Sequence, residues 1–224
     1  MKPPLITSAI ELEQLINEVG FLPLFKSEIN GFSVEDCTPS DLWFVDGVEG
    51  PWEWREIITE KGEIAYGKLF NKKTGFVSRR WYPDLANYRR NGYDFDARYE
   101  DGLSSYECKI IVDLLQTKDS FLSKEIKNLL GFKKDWYSGF ETAMTTLQMQ
   151  TYVTVKCFEY KVDKFGRPYG WSAARYSLSE KVFGEDFVTS RYNIVPKESK
   201  ELLEEHIYKL FPNSTKEQIA KIIR

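Results

Sequence analysis

Between Leu122 and Tyr176 the hydrophobic pattern changes from a helical period to a strand period, which restricts this stretch to few folds. Ser123 opens a run, Lys-Glu-Ile-Lys-Asn-Leu-Leu, that Gly131 closes; a hydroxyl at the start and a glycine after the end delimit a helix. A polar, aromatic turn over residues 132–139 follows. In the next run, Phe140, Ala143, Met144 and Leu147 recur at helical spacing, so one face can pack while the other stays free. From Tyr152 to Val162 the residues alternate as in a strand, Asp163-Lys-Phe-Gly-Arg-Pro168 has turn chemistry, and Tyr169 to Tyr176 returns as a second strand. Helix, turn, helix and two-stranded ribbon is the order of a winged helix. In such modules the second helix usually enters a nucleic-acid groove and the ribbon touches the backbone beside it. Other winged helices bind proteins.

Upstream, Ser8-Ala-Ile-Glu11 is a capping box for a first helix with Ile10, Leu12, Leu15, Ile16 and Val19 on its apolar face, ending at Gly20. Phe21-Leu-Pro-Leu-Phe25 is too apolar for an exposed linker and is expected as a buried, irregular connection. Pro51 suits the first position of a helix. In that helix Trp52 and Trp54, two positions apart, diverge by about 200°, so one of them should face outward or into a cleft. Residues 64–70 and 76–81 read as a β-hairpin with Gly75 in its turn. Helices are expected over residues 84–90, 104–118 and 198–211, a short one or a turn over 179–189, and a last helix from Lys216 to Arg224 after a second capping box at Ser214. The fold class is α+β, helix-rich, with a winged-helix module and a second β-hairpin. The expected organisation is an N-terminal lobe over residues 1–118, the winged helix over 119–178 and a C-terminal helical segment over 179–224.

Composition excludes several chemistries. The single histidine, His206, cannot build a histidine-based zinc site, and a serine or cysteine nucleophile would have only this one base to find. Three widely spaced cysteines, Cys37, Cys108 and Cys157, argue against a disulfide framework and a Cys-x-x-Cys metal site, so no metal or other cofactor is expected. No run approaches the roughly 18 apolar residues of a membrane span, and the first residues lack the apolar core of a signal peptide. The expectation is a cytoplasmic protein without a membrane partner.

Net charge is −3, but its distribution is uneven. Residues 31–60 hold eight acidic side chains and one basic, Arg55, whereas residues 64–90 hold Lys68, Lys72, Lys73, Arg79, Arg80, Arg89 and Arg90 against Asp84 alone. Such a basic stripe can hold a phosphate backbone. It can equally be a solvated face, or one paired with the acidic segment before it. Lys164 and Arg167 at the tip of the ribbon would add two backbone contacts.

Several stretches resemble one family. Gly20-Phe-Leu-Pro-Leu-Phe-Lys26, Gly31-Phe-Ser-Val-Glu35, Pro51-Trp-Glu-Trp-Arg55, Ile64-Ala-Tyr-Gly-Lys-Leu-Phe70, Ala86-Asn-Tyr-Arg-Arg-Asn-Gly-Tyr-Asp-Phe-Asp96 and Leu147-Gln-Met-Gln-Thr-Tyr152 are similar to the bacterial AlkZ-related proteins. That family is named for its similarity to the AlkZ/YcaQ DNA glycosylases, which are built from winged-helix modules. The glycosylases carry a Gln-hydrophobic-Gln or Gln-hydrophobic-Asp motif that positions water at a sugar, and Gln148-Met149-Gln150 matches it in residue type. The resemblance therefore implies a protein that binds double-stranded DNA and acts on alkylated bases, with Gln148 and Gln150 as the catalytic pair. Trp54, Trp136 or Tyr137 would stack on an extruded base. On the residues alone, the two glutamines could instead flank a core methionine, or read an adenine edge from a recognition helix. Two other functions stay open: a non-catalytic winged helix that contacts a protein partner, and a small-molecule enzyme using Asp94, Asp96 or Glu53.

Overall fold

Ser8 caps the first helix, α1 (Ala9–Val19), by accepting the Glu11 N–H, while the Glu11 carboxylate accepts the Thr7 N–H at 2.7 Å. The computed structural model describes residues 5–45, 47–132 and 139–224. Gly20 ends α1 at φ 82°, where a side chain would strike the Trp81 ring. The segment expected to be irregular is instead a strand, β1 (Phe21–Pro23), fully buried at a sheet edge where proline needs no donor. Then come α2 (Val34–Cys37) and α3 (Pro51–Glu60), with Pro51 at the first turn and Glu53 closing on the Gly50 N–H at 2.9 Å.

The hairpin of β2 (Ile64–Phe70) and β3 (Lys73–Ser78) is tighter than expected. Asn71 and Lys72, both at positive φ, form the turn, as a two-residue type I′ connection requires. Gly75 lies inside β3, opposite Gly67, where a Cβ would meet the Phe70 ring at 2.5 Å. The sheet order is β1-β3-β2, so β2 is an edge strand. α4 (Tyr82–Arg90) follows and stops at Asn91, which adopts the left-handed conformation. A short α5 (Phe95–Glu100) occupies a stretch without a clear period in the sequence.

The second half begins with α6 (Tyr106–Thr117) and the two-residue β4 (Phe121–Leu122), which carries no periodic signal. Next come α7 (Ser123–Leu129), α8 (Phe140–Met149), β5 (Val153–Val162) and β6 (Pro168–Leu178). β6 runs between β4 and β5 in an antiparallel sheet. The chain closes with α9 (Ser179–Phe183), α10 (Glu185–Val188), α11 (Pro196–Leu210) and α12 (Lys216–Ile223). The last capping box is shifted by one residue, with Thr215 and Gln218 as the reciprocal pair rather than Ser214 and Glu217.

The architecture is α+β, half helical, with two small antiparallel three-stranded sheets. Buried apolar residues form two clusters. One joins α1, α3, the first sheet and α4 to Val155 of β5 and to α11 and α12; the other gathers Phe95, α6, α7, α8 and Val153 of β5. α6, expected in the N-terminal lobe, packs with α8 in the second cluster. Among the described residues no helix is long and apolar enough to cross a membrane.

Candidate nucleic-acid interface and aromatic cleft

The glutamine triplet sits at the end of α8, where the helix lies against the edge of β2. Gln148 is 2% exposed. Its Oε1 accepts the Lys68 backbone N–H at 3.0 Å and its Nε2 donates to the Met144 carbonyl at 3.1 Å. Gly67 permits this approach, because a Cβ there would lie 2.9 Å from that Oε1. Lys68 Nζ also reaches Thr145 Oγ1 at 3.1 Å, and Thr154 Oγ1 donates to the Tyr66 carbonyl at 3.1 Å. The edge of β2, which would otherwise offer unpaired backbone groups, is thereby closed. The role expected of Gln148 is corrected here: both ends of its amide are engaged, and neither is turned outward to orient a water. Gln150 is half-buried, with its Oε1 shut away from solvent and without a hydrogen-bond partner.

The basic residues part company in the same way. Arg90 is 1% exposed, and its guanidinium donates to Thr151 O at 2.7 Å, Thr151 Oγ1 at 3.2 Å, Tyr192 Oη at 3.3 Å and the Glu180 carboxylate. Arg89 ties α12 to β2, donating to the carbonyls of Leu69 at 2.5 Å, Ile223 at 3.1 Å and Arg224 at 2.9 Å. Neither arginine is available to a phosphate, which corrects the expectation for both. Lys68 is held by Thr145, and Arg79 pairs with Glu63 at 3.0 Å while lying over the Phe187 ring. Lys72, Lys73 and Arg80 are exposed. Strand length alone separates the turn lysines from Arg80 by about 20 Å, at roughly 3.3 Å per residue. At the ribbon tip Lys164 and Arg167 are exposed and flank the Phe165 ring, and Arg167 pairs with Asp163 at 2.9 Å.

The two tryptophans of α3 diverge as the helical period requires, but the inward one is Trp54, 1% exposed in the core. Its expected stacking on a base is corrected accordingly. Trp136 and Tyr137 lie outside the described residues. Trp52 borders an open cleft of about 630 Å³ formed by Phe44, Tyr160 and Trp171, with Glu49 and Glu53 among its walls. The buried Arg55 guanidinium lies 3.6 Å from the Trp52 ring centre and 4.2 Å from that of Phe158. Trp171 stands at 90° to Trp52 and at 73° to Phe44, with ring centres 6.0 and 6.3 Å apart. Burial and the neighbouring Glu56 carboxylate raise the pKa of the Tyr160 hydroxyl, which keeps it a neutral donor. Phe44, Tyr160 and Trp171 were missed from sequence; the aromatic residues strung along the ribbon were the available signal for the last two, and Phe44 had none.

A second cleft, of about 350 Å³, opens beside Arg90 and is lined by Asp94, Asp96, Glu180, Glu185, Tyr152 and Tyr192. Asp94 caps α5 through the Ala97 N–H at 2.8 Å, and Asp96 pairs with Lys109 at 3.4 Å. Burial pushes the Tyr152 hydroxyl up to about 12, and it donates to the Tyr93 carbonyl at 3.0 Å. Most polar groups here therefore hold the walls together. His206 does similar work elsewhere, with Nε2 2.8 Å from the Val19 carbonyl and its ring stacked on Trp81 at 4.2 Å. Among the described residues no group of three or more His, Cys, Asp or Glu side chains could hold a metal ion.

No curated protein matches the chain, and no solved structure matches it. Its own sequence patterns meet in space: Ile64–Phe70 and Leu147–Tyr152, two of the stretches that carry the family resemblance, are the two sides of the Gln148 contact. The family model described as AlkZ related matches residues 6–224, and the chain belongs to that family.

Proposed function

We propose that the protein is a winged-helix relative of the AlkZ-type DNA glycosylases that works by binding and does not use a glutamine pair for hydrolysis. The observation that carries this reading is Gln148, whose amide is spent on Lys68 and Met144. The order α6-β4-α7-α8-β5-β6, with β6 between β4 and β5, supports the winged helix. α8 would be its recognition helix and the exposed β5–β6 hairpin its wing. Duplex DNA is the ligand the family name favours. Lys72, Lys73, Arg80, Lys164 and Arg167 are the members of the expected cationic set that keep exposure enough to meet phosphates.

Titrating a duplex at several salt concentrations, with and without one alkylated base, tests this. The expected result is salt-dependent binding with a slope set by about two to five phosphate contacts, since each contributes roughly −0.9, and no release of the base. Base release that disappears in Gln150→Ala would overturn it. A protein-contact role is the second reading, favoured by the exposed aromatic side chains of the wing, Phe165, Tyr169 and Trp171; absence of duplex binding at low salt would leave that reading in place.

A further inference from the structure

Phe44 and Trp171 are 55% and 68% exposed, large fractions for rings of their size, and they meet at a steep angle over the 630 Å³ cleft. Favourable contacts of a cation extend to roughly 6 Å from a ring centre, so one cation in the cleft can reach both rings of such an edge-on pair. The observed separation is 6.3 Å at 73°. Trp52 and Tyr160 extend the wall; Trp52 is engaged by Arg55, and Phe44 also packs on Trp43 and Trp52 at 5.7 and 5.3 Å, so the exposed parts of the Phe44 and Trp171 rings are what a ligand can meet. Glu49 and Glu53 supply negative charge at the same cleft. The acidic segment of residues 31–60, with Arg55 its single basic side chain and that one turned inward, extends the same sign.

We infer that this corner binds an alkylated ammonium ion. A phosphate or carboxylate would meet the two glutamates, and a bare ammonium would have to surrender strong hydration. Alkyl groups on the nitrogen spread the charge, lower that cost and present apolar surface to the rings. The cleft volume lies within the roughly 300–1,000 Å³ of small-molecule sites. Such a site stands whether or not the protein binds a duplex.

Choline and its uncharged isostere 3,3-dimethyl-1-butanol, titrated into the full chain and followed by tryptophan fluorescence, distinguish a cation site from a greasy groove. Saturable choline binding, at least about tenfold tighter than the isostere, is expected from the strength of cation–π contacts. Trp171→Ala and Phe44→Ala should each weaken it by about tenfold with an unchanged circular dichroism spectrum, and Glu49→Gln should weaken it less, with a smaller salt dependence. A trimethyl-lysine peptide in parallel separates the sources: tighter binding than choline means a partner's side chain, weaker binding a free small molecule, and either supports the site. Equal binding of choline and the isostere, or saturation by neither choline nor the peptide, overturns it.

Discussion

Gln148 Oε1 accepts the backbone N–H of Lys68 at 3.0 Å across 80 residues of chain, and this bond fixes α8 on the edge of β2. Replacing Gln148 with alanine leaves the Lys68 N–H and the Met144 carbonyl with one partner fewer. An unsatisfied buried group costs about 1–3 kcal/mol, so the expected loss of unfolding free energy is of that order, measured by denaturant titration. Gly67→Ala should also destabilise, since its Cβ intrudes on the same oxygen. The two changes should be less than additive, by about 1 kcal/mol, because they remove one contact.

Arg90, with its side chain 1% exposed, pairs with the half-buried carboxylate of Glu180. Arg90→Met deletes donors to Thr151, Tyr192 and Glu180 together. The buried Thr151 oxygens lose this donor, and an unsatisfied buried group costs about 1–3 kcal/mol, so a loss of at least that order is expected in denaturant unfolding. Lys164→Ala with Arg167→Ala, by contrast, should leave the melting temperature unchanged while lowering the salt slope of duplex binding by about two. A Tm loss in the wing variant would show that these side chains support the fold.

Trp54 and Trp171 have opposite surroundings, so their alanine variants should separate. Trp54→Ala empties a core position and should cost about 3–5 kcal/mol. Trp171→Ala should fall within about 0.5 kcal/mol of the parent, as surface changes do. Equilibrium unfolding of the pair decides it.

His206 has its pKa lowered, chiefly by burial, with Arg80 and Lys209 lowering it further and the Val19 carbonyl opposing. Its folded form therefore favours the neutral ring, and the unfolded chain takes up the proton first. Stability from this residue is complete above its ordinary value of about 6.5 and declines as pH falls from there toward the lower folded pKa. His206→Gln should flatten that part of the stability curve. An unchanged slope would assign the acid sensitivity to other groups.

The first helix was legible because a hydroxyl precedes an apolar stripe at Ser8; the helix expected from residue 104 is capped one residue later, by Ser105. β1 and β4 were not, because strands of two or three residues are too short to show alternation. The hairpin turn was misplaced because Gly75 is a turn residue by type, yet here it is kept small by the Phe70 ring. The site was legible only in part. Charge gave the sign of residues 64–90 but not their direction, and Arg89 and Arg90 fall on a helix that is buried on nearly every side. The divergence of Trp52 and Trp54 was visible, but which of them faced the cleft depended on a partner more than a hundred residues away, Trp171.

β5 sends Val153 into one buried cluster and Val155 into the other, and Tyr176 opposite touches both. One strand thus serves as a beam shared by the two clusters. A chain cut short ahead of it would expose two raw apolar walls at once, so the intact protein should melt as a single unit and its pieces should need each other to dissolve.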